Sequence, residues 1–323
     1  MGAGTNPDRR LNSGLDKGGV DRCDHQSNLR MNLTRPLLSW YRRTARQFPW
    51  RVPDPDPYMV LVSETMLQQT QTSRVAEALP RFLHRFPTVH ILAEASNAEI
   101  VRHWKGMGYN SRALRLRDAA RSIVTVHGGT VPASVDVLRS LPGVGPYTAA
   151  AVACFAYDRR VVVLDVNIRR VYSRWFRRQR TTADVETDSA LTAFAESVIP
   201  RRSASEWHHA VMDLGATVCT ARDPRCGACP LADLCPSADA MERVSRVRRA
   251  EPMFRGEPQR LWRGRFVEVL RTQHDGMSTR KLFAAAAGSP IEKHEVDWYT
   301  SVLAALERDG FIVNNGGRVR LAE

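Results

Sequence analysis

No apolar run in this 323-residue chain approaches the length of a membrane-spanning helix. The segment Met1–Arg30, rich in Gly, Asn and Asp, lacks the apolar core of a signal peptide. A cytoplasmic protein with no membrane partner is the expectation. Negative charge is scarce: 34 acidic side chains against 47 basic ones leave a net charge of +13. That excess points to a polyanion, nucleic acid first. Arginine supplies most of it, and its planar fork suits phosphate better than lysine does. Cysteine is scarce too, with six in all, and four of them fall between Cys219 and Cys235. Such clustering argues against a disulfide framework and for a metal or cluster site. There is no internal repeat, so the chain is not a repeat array. With 43% hydrophobic residues it can bury a sizeable core, in two or three domains.

The chain is organised around Val135–Arg170. A short helical pattern turns at Leu141-Pro142-Gly143-Val144-Gly145 and enters a small-residue helix, Tyr147–Tyr157. Gly143 and Gly145 lack a Cβ, so they can put several N–H groups on one side of a tight turn. At a helix N-terminus such a turn attracts phosphate, although two helices joined by a glycine turn are often only packing. The apolar run Val161–Leu164 then delivers Asp165, isolated among apolar neighbours. The pattern suggests a DNA-backbone clamp beside a catalytic carboxylate.

Residues 1–31 read as a disordered tail in which Cys23 and His25 are incidental. A helix follows, with Leu37, Leu38, Trp40 and Tyr41 on one face. Arg46–Tyr58 is a proline-rich extended connector in which Trp50 plugs the core while Arg46 and Arg51 reach toward a ligand. In Met59–Val75, Glu64 interrupts an apolar face, where burial would raise its pKa as a general acid requires. By pattern alone it reads first as a surface residue of an amphipathic helix. Gln68 and Gln69 follow as duplex wedges or exposed amides. Thr88–Trp104 reads as one helical segment, and the turn Gly106-Met107-Gly108 presents Tyr109 as an intercalating aromatic. The next stretch carries Arg112, Arg115, Arg117 and Arg121 and ends at Gly128-Gly129.

Beyond Asp165, a basic helical segment and Thr182–Pro200 lead to a stripe of Trp207, Val211, Leu214 and Val218, with His209 facing away from it. Cys219, Cys226, Cys229 and Cys235 form C-x6-C-x2-C-x5-C, which can hold an iron–sulfur cluster or a structural zinc. Arg222 and Arg225 in that loop offer charge to DNA. Cys154 is core. Residues 241–258 read as a linker. Three helical faces follow, carrying Trp262, Phe266, Val269 and Leu270, then Ser278–Ala287, then Trp298, Val302, Leu303 and Leu306. A terminal hairpin with an Asn-Gly turn completes a winged-helix-like order of elements.

The motifs SETMLQQTQ, GMGYNSRALRL, LPGVGPYTA, LDVNIRR and C-x6-C-x2-C-x5-C, in this order, resemble the helix-hairpin-helix (HhH-GPD) base-excision glycosylases, above all the MutY-type adenine DNA glycosylases. The resemblance spans about Leu37 to Pro236. It implies an all-α, two-lobed fold with DNA in the cleft: a six-helix lobe, 59–165, and an iron–sulfur cluster lobe, 32–58 plus 166–240. Residues 259–323 form the winged-helix-like domain. It implies a monomeric enzyme acting on double-stranded DNA with mismatched or oxidised pairs, excising adenine opposite 8-oxoguanine or guanine, with a [4Fe-4S] cluster on the four cysteines. By resemblance Asp165 stabilises the oxocarbenium-like sugar and Glu64 is the general acid. The base must leave the stack to be reached. Gln69 and Tyr109 match wedge residues, Asn167 an asparagine beside the catalytic aspartate, and Arg169 a position often held by lysine.

Three departures from the family pattern stand out. Tyr147 occupies the position where bifunctional relatives carry a Schiff-base lysine, so a lyase step is not expected. His209 replaces the base-reading Gln or Glu. The C-terminus lacks the pattern of a Nudix-like domain. Tyr147 also occurs in thymine-mismatch glycosylases, whereas Glu64 is generally missing from them. A thymine or uracil mismatch glycosylase and a non-catalytic damage sensor are the alternatives.

Overall fold

The computed structural model describes residues 18–176, 188–238, 253–273 and 275–322. Fourteen α-helices and five short strands are found among them. No described helix is long and apolar enough to cross a membrane. α1 (Gly18–Thr44) already begins inside the expected disordered tail. Nothing after Gly19 breaks a helix before the amphipathic Leu33–Leu38 segment, so the pattern propagates backward. The side chains of Cys23 and His25 lie outside the described residues.

Seven helices rather than six fall between Pro57 and Tyr157: α2 (Pro57–Leu67), α3 (Thr72–Arg85), α4 (Val89–Glu94), α5 (Asn97–His103), α6 (Ser111–His127), α7 (Val135–Ser140) and α8 (Pro146–Tyr157). The extra helix arises because Thr88–Trp104 breaks at Ala95-Ser96. Ser96 turns extended and its hydroxyl caps α5 through the Glu99 N–H. α8 is buried on nearly every side. Its alanines let α2 and α11 (Ala204–Thr217) approach closely. α9 (Val166–Phe176) packs on α11, and α1 crosses α10 (Asp188–Val198) and α11. One continuous core runs through both lobes, from Leu37 and Leu61 through Ala151 to Val171 and Trp207. Gly215 permits a close approach of α11 to α9: a Cβ there would sit 2.8 Å from the Asn167 Cβ.

The C-terminal unit comprises α12 (Gln259–Arg271), α13 (Thr279–Ala287), α14 (Val296–Arg308) and a three-stranded sheet. β4 (Ile312–Asn315) and β5 (Arg318–Leu321) form the hairpin, and β3 (Met277–Ser278) pairs with β5. The turn is Gly316-Gly317, both at positive φ, not Asn-Gly. Asn315 pairs with Arg318, which leaves the two glycines as the tight turn. Val267, not Val269, completes the buried α12 face. The expected linker ends early as well. β1 (Met253–Phe254) and β2 (Glu257–Pro258) form a ribbon that seats Phe254 flat on Trp298, at 3.4 Å between ring centroids. Residues 239–252 lie outside the described part.

Candidate active site and cluster loop

α2, α8, α9, α11 and the 46–51 connector wall a cleft of about 1480 Å³. Arg51, Glu64, Gln68, Gln69, Tyr147, Asp165, Asn167, Arg169 and His209 all line it. Tyr109 stands on the adjoining loop, half exposed, and Gly143 and Gly145 lie on the exposed α7–α8 turn.

Glu64 projects from the apolar helix α2 and is 4% exposed. Burial raises its carboxyl from the ordinary 4.5 to about 7; the Tyr147 hydroxyl bond and Arg51 oppose the rise, and Asp165 reinforces it. Its Oε2 is buried without a partner. Burial, then Glu64 and Asp165, push the Tyr147 phenol well above its usual range, so it stays protonated and donates to Glu64. Asp165 sits at the start of α9. Its carboxylate accepts from the Ile168 N–H at 2.6 Å and the Asn167 amide at 2.9 Å. Burial raises its pKa, and those hydrogen bonds and Arg170 pull it back. The positive end of α9 adds to that hold. Glu64 is thus a buried acid near neutrality, and Asp165, although burial raises its pKa as well, has two hydrogen-bond donors aimed at its carboxylate oxygens.

The His209 ring stacks on Phe155, 4.4 Å between centroids at 16°. Burial, with Arg51 and His208, drives its pKa well below the imidazole range. It faces the cleft as a neutral ring with one donor and one acceptor. Arg51 is fixed from behind by Asp213, whose two oxygens each lie 3.0 Å from one guanidinium nitrogen. Arg46 bonds the same carboxylate. The only sequence signal for Asp213, 1% exposed, is an acid beside the Trp207–Leu214 stripe.

The structure separates the two glutamines. The Gln68 amide donates to the Thr148 hydroxyl at 3.0 Å, whereas Gln69 is exposed in left-handed backbone, φ +55°. Tyr109 is left-handed as well, at φ +43°. Non-glycine residues held there store strain typical of functional sites. Of the hairpin glycines only Gly143 needs positive φ, +75°; a Cβ there would sit 2.6 Å from the Arg115 Cβ. Gly145 has φ −82° and open space above it.

Sequence reasoning missed Arg112, which reads as one of several helix-surface arginines. It is 8% exposed and donates to the carbonyls of Thr65, Met66, Gln68, Met107 and Gly108. It thereby bolts the Gln69 loop to the Tyr109 loop. Replacing Arg112 with Ala strands carbonyls that cost about 1–3 kcal/mol each when buried unpaired. Urea unfolding is expected to show a loss of about 3 kcal/mol or more. A change below about 1 kcal/mol would mean that water replaces the guanidinium.

The four loop cysteines line a common pocket with Arg174 and Trp175. Arg174, 2% exposed, places Nη1 3.1 Å from the Cys219 Sγ and leaves Nε and Nη2 buried without partners. Among the described residues no set of three or more ligating side chains closes around a single metal ion. Four cysteines around one pocket, with a buried arginine offering unused donors to thiolates, match a larger sulfur-ligated cluster better than a single zinc. The loop is tied to the cleft. Arg170 donates to the Cys219 carbonyl at 2.9 Å, the Gly215 carbonyl at 2.7 Å and the Asn167 Oδ1 at 2.7 Å.

The HhH-GPD superfamily of base excision DNA repair proteins matches residues 62–196, and the iron-sulfur binding domain of endonuclease III matches residues 219–235. The fold and site therefore define a base excision glycosylase, a hydrolase that acts on DNA and carries a [4Fe-4S] cluster. An adenine DNA glycosylase of Mycobacterium tuberculosis is 42% identical, covering 82% of this chain and 83% of its own length. A thymine/uracil-DNA glycosylase of Methanothermobacter thermautotrophicus is 31% identical, over 61% of this chain and 89% of that protein. The solved structure of a thermostable thymine-DNA glycosylase superposes with a TM-score of 0.59 at 29% identity, over 66% of this chain and 97% of that one. The chain belongs to the adenine DNA glycosylase family.

Proposed function

We propose that this enzyme, acting as a monomer, excises adenine mispaired with 8-oxoguanine or guanine from double-stranded DNA by hydrolysis alone. One observation carries the reading: Glu64 is a buried carboxyl protonated near neutrality, in the same cleft as Asp165, whose oxygens accept from the Ile168 N–H and the Asn167 amide. Adenine has a basic ring nitrogen, N7, that such an acid can protonate, whereas thymine gains less from one. Glu64 protonates the extruded base, with Tyr147 holding the carboxyl in place. Asp165, fixed by Asn167, stabilises the developing sugar cation. Glu64, then ionised, helps to activate water. His209 offers its ring edge to the base. Gln69 and Tyr109 enter the duplex gap from strained loops. The Gly143–Gly145 turn takes a phosphate, and Arg169 adds charge beside the cleft. Cys219, Cys226, Cys229 and Cys235 would hold the cluster, and Arg170 and Arg174 join its loop to α9. DNA lies between residues 59–165 on one side and residues 32–58 with 166–240 on the other.

Tyr147 and the likeness to thymine glycosylases favour a second reading, removal of thymine or uracil from mismatches. Single-turnover base release from A:8-oxoguanine, A:G, T:G and U:G duplexes separates the two. Fast release from A:8-oxoguanine, with abasic sites cut only after alkali, is the expected result. Release only from T:G or U:G would replace the adenine reading with the second.

A further inference from the structure

We propose that the seam between the C-terminal unit and α6 is a second contact for the DNA backbone, in which Arg115 and Arg308 hold a phosphate outside the catalytic cleft. The inference rests on the reading of the chain as a DNA glycosylase. The C-terminal unit is docked rather than tethered: Ala98, Val101 and Leu114 complete its core. Arg271, at the end of α12, donates to the Val101 carbonyl at 3.0 Å and the Asn110 Oδ1 at 3.2 Å. The Asn97 amide reaches the Gly310 carbonyl at 3.3 Å. Asn110 directly follows Tyr109, so this unit also grips the base of the wedge loop.

The seam opens into a pocket of about 810 Å³ lined by Ser111, Arg115, Arg117 and Arg308, with Asp118 and Asp309. Both acids are already engaged, Asp118 by Arg117 and Asp309 by Arg263. Arg115 and Arg308 carry no hydrogen bond or ion pair among the described residues, and both are exposed. Two free guanidinium groups on one pocket repel each other until an anion joins them, and phosphate matches their fork. The location selects DNA as its source. Arg115 packs directly beneath Gly143, so a strand held at the hairpin turn passes it. Arg308, at the end of α14, lines the same pocket.

The test is the salt dependence of binding to an undamaged fluorescent duplex by the full-length chain. Each phosphate contact removed lowers the slope of log K against log salt by about 1. Arg308→Ala and Arg115→Ala are each expected to do so and to weaken binding several-fold at low salt, while Arg308→Lys keeps the slope. Lys293→Ala removes the same charge in the turn just before α14, about 20 Å from Arg308 across the 13 residues of the helix, and leaves the slope unchanged. Unchanged slopes in both arginine variants would overturn the proposal, as would an Arg115 effect without an Arg308 effect. Base release from A:8-oxoguanine by the wild type, measured in parallel, fails separately if the enzymatic reading is wrong, because undamaged-duplex binding requires no excision.

Discussion

Glu64→Gln is expected to slow single-turnover base release by about 10²–10⁴-fold, the usual worth of a positioned acid–base group, while duplex affinity changes little. Glutamine keeps the shape and can still accept from Tyr147, but has no proton to give. In the wild type, release should be fast below pH 7 and fall as the pH rises through about 7, where the Glu64 carboxyl loses its proton. The variant's residual rate should lack that limb. Stability supplies a second sign. The folded-state pKa lies above the ordinary 4.5, so ionisation of Glu64 opposes folding. Its contribution to stability is fullest below pH 4.5 and is lost as the pH climbs to about 7. The uncharged glutamine escapes that loss, so at about pH 8 the variant should melt no lower than the wild type. Parallel loss of affinity, rate and melting temperature would mark Glu64 as structural.

Asp165→Asn is expected to reduce base release at least as severely, by about 10²–10³-fold or more, because the charge that faces the developing sugar cation disappears. Folding should survive, since asparagine caps a helix about as well as aspartate and can still accept from the Ile168 N–H. The Asn167 amide donates to Asp165 Oδ2 in the wild type, and in the variant it can turn its own oxygen toward the introduced amide. The variant should bind mismatched duplex tightly without turning it over. A rate within about tenfold of wild type would show that the reaction does not depend on this carboxylate.

Much of this was legible in the sequence because it depends on local order. The glycine hairpin, the four cysteines and the lone acids Glu64 and Asp165 each stand out from their immediate neighbours. The structure brings Glu64 and Asp165, a hundred residues apart, into one cleft. Errors fell where local pattern is silent. Ser96 splits what reads as a single helix, and Phe254 turns an apparent linker into part of the C-terminal unit by burying itself against Trp298 and Trp262.

The sequence by itself determined the class of chemistry: which acids are surrounded by apolar residues, where a turn can cradle phosphate, and which thiols are close enough along the chain to share a cluster. Only the tertiary structure decided how these groups are tuned. Glu64 sits near neutrality because its burial in the fold raises the carboxyl more than the Tyr147 hydroxyl and Arg51 lower it. Arg112 reads like its neighbours Arg115 and Arg121, and becomes the bolt between two loops because three carbonyls from the distant Thr65–Gln68 segment converge on it with two from the nearby Met107-Gly108 turn. Burial and the free energy of desolvation depend on what the rest of the chain places nearby, and no local window contains that.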